Sequence, residues 1–174
     1  MQPMTIPEII SAVDGTWLNP RKGAAPVTAV CTDSRKIAPG CLFLPWVGER
    51  FDGHDFAPKA LELGAAAVVV DHDLGLPRQI RVEDTHAVYP LLCANFFGRP
   101  ADHMKMIGVT GTNGKTTSVF LIKHLLAAAG HRTGLIGTVQ NEIGDLVLPA
   151  KFTTPDPYQL QSMLAKMRVA GCEY

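Results

Sequence analysis

The feature that most constrains the fold is a glycine-rich turn at residues 106–117, between an apolar run and an amphipathic helix. The segment reads Met-Ile-Gly-Val-Thr-Gly-Thr-Asn-Gly-Lys-Thr-Thr, which is typical of a strand, a phosphate-binding loop and a helix start. Gly111 and Gly114 let backbone N–H groups converge, and the helix adds its unpaired N-terminal donors and the positive end of its dipole. The sequence therefore predicts an anion site at this turn.

Two side chains after the turn indicate that the anion is a nucleotide. A lysine at the position of Lys115 reaches the outer phosphates, and a hydroxyl at the position of Thr116 ligates the accompanying magnesium ion. The strict P-loop pattern is not met, because Val109 stands where that pattern has its first glycine. The alternative is a tight strand-to-helix turn with an ordinary surface lysine.

Composition argues against several classes of partner. Sixteen basic and sixteen acidic residues cancel, so the chain lacks the charge footprint of a nucleic-acid or membrane-surface binder. It also lacks a secretory leader pattern and any apolar run of the roughly 18 residues that a membrane span needs. We therefore expect a soluble cytoplasmic protein. The four cysteines and six histidines show no spacing typical of a metal site built from side chains alone.

The first half of the chain alternates between helical and strand patterns, which predicts an α/β fold. Residues 6–13 favour a helix, 27–31 a strand, and 65–70 form a continuous apolar run typical of a strand buried on both faces. A polar turn containing Asp33 and Ser34 follows the strand at 27–31. Such a turn suits a ligand, although these side chains equally suit bonds to their own backbone.

Residues 98–102 are the best candidate for a linker, because glycine and proline interrupt the pattern there. We predict domains at 1–100 and 101–174, the second of them incomplete. Two strands and two helices cannot cover both faces of a parallel sheet, so we expect exposed apolar surface and an open strand edge. The helix after the loop nevertheless has apolar residues at the spacing of one helix face, which predicts that this face packs against the core. These residues are Ile122, Leu125, Leu126 and Ala129.

The last third of the chain predicts a strand, a hairpin and a helix. Residues 133–139 have a strand pattern, and 143–145 are typical of a hairpin turn. Asp156 is placed as the N-cap of the final helix and Pro157 as its first residue.

Three segments, residues 111–117, 134–139 and 153–156, resemble the Mur ligases. Residues 33–35, 39–43 and 48–54 are similar to the N-terminal nucleotide-sugar domain that the MurE and MurF branches of that family share. The MurF branch usually has serine at the position of Thr112 and lacks the succession of Gly-Thr-Val and then Thr-Thr-Pro. The resemblance therefore favours the MurE branch, and it covers nearly the whole chain.

The resemblance implies an ATP-dependent amide ligase of peptidoglycan synthesis. Such an enzyme adds the third amino acid to UDP-N-acetylmuramoyl-L-alanyl-D-glutamate through an acyl phosphate, and it is expected to be a monomer at full length. The implied fold is a small α/β nucleotide-sugar domain followed by the start of a P-loop ATPase domain. ATP and Mg²⁺ are the implied cofactors, and the UDP-linked dipeptide and an amino acid are the implied partners; the identity of that amino acid stays open.

The same resemblance assigns the site residues. Lys115 and Thr116 would do the catalytic work, with Thr116 also the magnesium ligand through ATP. ATP would be held by Gly111, Thr112, Asn113, Gly114, Lys115, Thr116 and Thr117. The UDP-linked substrate would be held by Thr32, Ser34, Glu49, Arg50, Phe51, Thr153 and Thr154.

Three alternatives stay open. Part of the family's active site has no counterpart in these 174 residues, so the chain alone is expected to be inactive and to act as a non-catalytic nucleotide-sugar binding module. A MurF-type ligase is the second alternative, and a generic P-loop NTPase is the third. The family often has asparagine where Phe152 stands, which departs from the pattern just before the two threonines.

Overall fold

The computed structural model describes residues 3–19, 25–48, 52–150 and 154–174. The chain divides into two compact units, Met1–Phe96 and Phe97–Tyr174. The assignment of a UDP-substrate domain to 1–100 and an ATP-binding domain to 101–174 stays a prediction. Within the described ranges, no helix combines the length and the apolar character that crossing a bilayer requires.

The first unit is built on a five-stranded sheet with the strand order β1-β5-β4-β3-β2. The strands β2 to β5 run parallel, and β1 pairs with β5 in the antiparallel sense at one edge. The carboxyl ends of the four parallel strands therefore lie along one edge of the sheet. The bounds are β1 Thr16–Leu18, β2 Ala29–Cys31, β3 Cys41–Phe43, β4 Ala67–Val70 and β5 Gln79–Arg81.

Among the described residues of this unit, three α-helices accompany the sheet: α1 Ile6–Val13, α2 Ala57–Glu62 and α3 Thr85–Phe96. The predicted helix at 6–13 is confirmed with these bounds. Helix α2 contacts β4, α3 contacts β2, and α1 and α3 pack against each other. Short 3₁₀ turns at Ser34–Lys36 and Gly53–Phe56 follow the ends of β2 and β3.

The core of the first unit fills the space on either side of the sheet. On one face, Phe43, Val68 and Val70 pack with the alanines of α2. The alternate residues of β3 and β4, such as Leu42 and Val69, are just as completely buried. The continuous apolar run at 65–70 thus forms a strand buried on both faces, as its sequence predicts.

Over residues 97–150 and 154–174, the second unit contains two α-helices, a 3₁₀ turn at Pro100–His103 and a three-stranded antiparallel sheet in the order β6-β7-β8. The predicted hairpin is confirmed, because β7 and β8 are joined by a turn at Gly144 and Asp145. The Asp156 carboxylate accepts hydrogen bonds from the N–H groups of Tyr158 and Gln159, which confirms the predicted N-cap. The bounds are α4 Lys115–Ala128, β6 Gly134–Ile136, β7 Gln140–Ile143, β8 Leu146–Pro149 and α5 Pro157–Val169.

Two expectations for the second unit are wrong. Residues 105–110 are irregular rather than a strand, and they pair with no strand in the part of the chain that the structure describes. The predicted stripe of α4 is not a core, because α4 has no buried residue and Leu125 is 63% exposed. Both differences have one physical reason: a strand needs a pairing partner and an apolar helix face needs an element packed over it. Helix α4 contacts β6, but no described element covers the side that carries Leu125. The expected exposed apolar surface is present.

Candidate nucleotide-binding site

The predicted phosphate-binding turn is an open loop at the start of α4. Residues 110–114 are all exposed. Gly111 has φ +145° and Gly114 has φ +76°, which are backbone conformations that residues with a Cβ rarely adopt. A Cβ built on Gly114 would meet no atom within 4 Å, so this glycine borders open space rather than packed protein. The loop therefore leaves room for a ligand.

The backbone donors of this loop are not used by the protein. In the described part of the chain, no acceptor receives the N–H groups of residues 111–115. Gly114 is the N-cap of α4 and offers no side chain to cap the helix. A helix start without a cap leaves its first N–H groups and its positive dipole end available to an anion.

Lys115 is the first residue of α4 and lies back over the loop. Its Nζ donates to the carbonyl oxygen of Gly111 at 2.5 Å and lies 3.5 Å from that of Thr112. The ammonium group is thus held beside the loop by weak neutral acceptors alone. A phosphate is a better partner for an ammonium group, because a hydrogen bond between two charged groups is about twice as strong as one between neutral groups.

A cavity of about 390 Å³ opens beside the loop within the second unit. This volume falls within the range of roughly 300–1,000 Å³ that is usual for small-molecule sites. Among the described residues that line this cavity, Lys115 carries a positive charge and none carries a carboxylate. The local electrostatics therefore suit an anionic ligand.

The structure brings four of the predicted site residues to this one cavity. Gly111, Lys115, Thr116 and Thr154 all line it. Thr112, Asn113, Gly114 and Thr117 lie in or next to the same loop. Thr153, like Phe152, lies outside the described residues.

Part of the cavity lining is not among the residues predicted from the sequence. Thr110 and Phe120 line the cavity, and so do the residues 137–140 that join β6 to β7. The Asn141 side chain accepts a hydrogen bond from the N–H of Gly137 and so holds this turn. The signal was present, because residues 134–139 resemble a family segment, but pattern alone does not show that the segment faces the loop.

A second group of predicted residues lies in the first unit, at the carboxyl end of β2. Thr32 and Ser34 follow that strand, are partly buried, and have hydroxyl groups that bond to no described residue. Crevices at the carboxyl ends of parallel strands are common ligand sites in α/β sheets. Glu49, Arg50 and Phe51, the other predicted contacts for the UDP end, lie outside the described residues.

Asp33, between these two residues, bonds to its own turn. Its carboxylate accepts hydrogen bonds from the Arg35 guanidinium at 2.9 Å and from the Arg35 backbone N–H at 3.1 Å. These bonds lower the pKa of Asp33 from 3.8 to about 2. The sequence leaves two roles open for this turn, ligand contact or bonds to its own backbone, and Asp33 has the second.

Two family models match the chain. The model for the Mur ligase middle domain matches residues 109–174, which contain the loop and its cavity. The model for the catalytic domain of the Mur ligase family matches residues 26–92, and together the two cover most of the chain. The chain belongs to the Mur ligase family.

Curated relatives of this Mur ligase chain are longer than it. It is 43% identical over 145 residues to the UDP-N-acetylmuramoyl-L-alanyl-D-glutamate–2,6-diaminopimelate ligase of Clostridium perfringens, covering 82% of this chain and 30% of that protein. It is 39% identical over 172 residues to the ligase of the same name from Geobacillus thermodenitrificans, covering 98% of this chain and 35% of that protein. The chain thus spans about a third of the length of these relatives.

Solved Mur ligase structures have the same fold. A structure of a UDP-N-acetylmuramoyl-L-alanyl-D-glutamate–2,6-diaminopimelate ligase superposes with a TM-score of 0.76 at 27% identity, over 99% of this chain and 35% of that one. A UDP-N-acetylmuramoylalanyl-D-glutamyl-2,6-diaminopimelate–D-alanyl-D-alanyl ligase from Acinetobacter baumannii gives 0.64 at 25% identity, over all of this chain and 35% of that one. The α/β fold expected from the sequence is therefore that of Mur ligases.

Proposed function

We propose that the loop at 111–117 binds the triphosphate of ATP, and that the chain supplies the nucleotide and UDP-substrate sites of a peptidoglycan ligase. The reaction joins 2,6-diaminopimelate to UDP-N-acetylmuramoyl-L-alanyl-D-glutamate. The observation that carries the proposal is the open loop. Its backbone N–H groups have no acceptor in the described chain, and it borders a cavity lined by the positively charged Lys115. Membership of the Mur ligase family and the names of the relatives support the ligase and its amino acid.

The proposed chemistry needs positioning and charge neutralisation rather than a nucleophilic side chain. The D-glutamate carboxylate takes the γ-phosphoryl group of ATP, and the amine of diaminopimelate then attacks the acyl phosphate and releases phosphate. The loop amides hold the phosphates, and Lys115 turns from the carbonyls of Gly111 and Thr112 toward the transferred group. Thr116 lines the cavity with a hydroxyl group suited to Mg²⁺, which supplies further positive charge at the phosphates.

The substrate contacts are proposed on both units. Thr32, Ser34, Glu49, Arg50 and Phe51 hold the UDP end, at the edge where the parallel strands finish. Thr153 and Thr154 contact the muramoyl-dipeptide part. The position of Thr154 on the wall of the loop cavity supports this role, because the reacting carboxylate must come close to the γ-phosphate.

The first test replaces the lysine of the loop. We expect Lys115→Ala to weaken Mg-ATP binding about 10- to 100-fold, since it removes one charge-assisted hydrogen bond. Isothermal titration calorimetry measures this change, and Lys166→Ala, at an exposed position on α5, is the matched control. In a protein of the relatives' length, Lys115→Ala should abolish ligation and spare binding of the UDP-linked dipeptide. Unchanged ATP affinity or retained turnover would remove the assignment.

The chain alone should bind its ligands without turnover. It spans only about a third of the curated relatives, which favours a binding role for these 174 residues by themselves. Separate titrations with UDP-N-acetylmuramoyl-L-alanyl-D-glutamate and with Mg-ATP, followed by a phosphate-release assay, test this expectation. ATP hydrolysis that is independent of the UDP-linked substrate would instead indicate a general NTPase.

A further inference from the structure

Three side chains that the ligase proposal does not use lie together in the first unit. His54 lies in the 3₁₀ turn after β3, and Asp71 and His72 directly follow β4. Their nitrogen and oxygen atoms all lie within 4.8 Å of one another. The centroids of the two imidazole rings are 4.9 Å apart. The fold thus joins residues that are 17 positions apart in the sequence.

The contact with Asp52 determines which nitrogen of the His54 ring carries a hydrogen in the neutral form. The side chain is 3% exposed, and its Nδ1 lies 2.7 Å from Oδ1 of Asp52. Because an ionised carboxylate only accepts hydrogen bonds, Nδ1 carries the hydrogen. The other nitrogen, Nε2, is buried and has no hydrogen-bond partner in the described part of the chain.

The unpartnered nitrogen points toward a carboxylate. His54 Nε2 lies 3.5 Å from Oδ1 of Asp71, and the same oxygen also contacts Nδ1 of His72. In the neutral ring, the lone pair of Nε2 faces a negatively charged oxygen, and burial makes an unsatisfied group costly. A cation between these atoms would satisfy both of them.

We propose that His54, Asp71 and His72 bind a divalent transition-metal ion, with Zn²⁺ as the best fit. Two imidazoles and a carboxylate match the nitrogen and oxygen ligands of zinc, whereas Mg²⁺ and Ca²⁺ prefer oxygen alone. Metal–ligand bonds of about 2.0–2.1 Å in a tetrahedral site place neighbouring ligand atoms about 3.3 Å apart, close to the 3.5 Å between His54 and Asp71. His72, which is in direct contact with Asp71, moves away from that oxygen when both bind the metal. Because Asp71 and His72 are exposed, water takes the fourth position.

Asp52 is the positioning residue of this site. Its contact with Nδ1 orients the His54 ring and directs the lone pair of Nε2 to the metal, as carboxylates do for many zinc-bound histidines. Asp52 also accepts a hydrogen bond from the backbone N–H of His54 at 2.8 Å.

Backbone contacts hold the two sides of the site in place. Gly53 packs so closely on Trp46 that an added Cβ would lie 2.5 Å from the Trp46 carbonyl oxygen, which keeps the turn of His54 fixed. On the other side, buried Gln79 bonds to the side chain of Asp73 and to the loop that follows it. Ligands that are already in place lose little freedom when the metal binds.

Metal titration of the tag-free, chelator-treated protein tests the proposal. We expect one Zn²⁺ per chain by calorimetry, and Co²⁺ as a substitute should give visible absorption bands typical of low coordination number. Asp71→Asn and His72→Ala change exposed residues and should each weaken Zn²⁺ binding at least about 10-fold. Asp52→Asn preserves the turn and should weaken it about 10- to 100-fold. His103→Ala, at an exposed histidine in the second unit, is the matched control and should bind as the unchanged protein does.

Two results would overturn this inference. One is the absence of stoichiometric Zn²⁺ binding, or equal binding by the unchanged protein, Asp71→Asn and His72→Ala. The other is a ¹⁵N spectrum that shows His54 Nε2 carrying a hydrogen and unaffected by Zn²⁺, since a plain ion pair with Asp71 would then explain the contact. His72→Ala should leave Mg-ATP affinity unchanged, so the outcome is separate from that of the ligase proposal.

Discussion

The strand β4 and the helix α4 are both rich in apolar residues, yet only β4 is buried. All four residues of β4 are 0% exposed, whereas Leu121 and Leu125 of α4 are 60% and 63% exposed. Strand β4 is paired on both edges and packs against α2, while α4 contacts β6 among the described elements of its own unit. An apolar pattern thus predicts which element forms, but burial depends on what lies beside that element.

The sharpest test of this difference applies one substitution to both units. Leu42→Ala, in β3 at 0% exposure, should lower the free energy of unfolding of the first unit by about 2–5 kcal/mol through lost burial and a cavity. Leu125→Ala, in α4, should change stability by less than about 0.5 kcal/mol. Urea unfolding followed by circular dichroism measures both variants, and Trp17 and Trp46 report on the first unit separately. Similar losses for the two variants would contradict the contrast.

The same contrast explains which parts of the structure the sequence predicts. Local signals were sufficient for the helix at 6–13, the hairpin turn at Gly144 and the cap at Asp156, because each depends on residues close in the chain. The strand at 106–110 and the core face of α4 are predicted wrongly, because strand pairing and the burial of a helix face depend on neighbours that local pattern does not show.

The two candidate sites differ in the same way. The residues of the phosphate loop are consecutive, so motif spacing is enough to predict them. The cluster of His54, Asp71 and His72 has no recognisable spacing, because the pairing of β3 with β4 brings its parts together. The residues 137–140 face the loop cavity for a similar reason, through the position of β6 beside α4.

An effect of intermediate size is expected for a buried polar side chain in the first unit. Gln79 is 0% exposed, and its amide oxygen accepts from the Leu74 N–H while its amide nitrogen donates to Asp73 and to the Leu76 carbonyl. Gln79→Leu keeps the shape but leaves these groups without partners, so we expect a loss of about 1–3 kcal/mol. Denaturant unfolding followed by both tryptophan fluorescence and circular dichroism measures the loss, with exposed Gln159→Leu on α5 as the control that circular dichroism follows. A neutral Gln79→Leu variant would show that water replaces the lost bonds.

The smallest expected effect concerns an ion pair that links α4 to β7, since α4 itself has no buried residue. Glu142 of β7 is 3% exposed and forms an ion pair with Lys123 of α4, while the Gln140 amide donates to its other oxygen at 2.9 Å. Burial raises the pKa of Glu142, but the bonds from Lys123 and Gln140 outweigh it, and the net result is a pKa below the ordinary value of 4.5.

Because the folded pKa of Glu142 is the lower one, its stabilising effect is full above about pH 4.5 and is lost as the pH falls through the folded value. Urea unfolding between pH 7 and 3 should show that the unchanged protein loses up to about 1 kcal/mol more than Glu142→Gln, since Lys123 keeps part of its hydration. Asp145→Asn, at an acid that is 97% exposed, is the control and should follow the unchanged protein. Parallel losses in the unchanged protein and Glu142→Gln would mean that this ion pair does not stabilise α4. The contacts between α4 and β6 would then be sufficient to hold the helix.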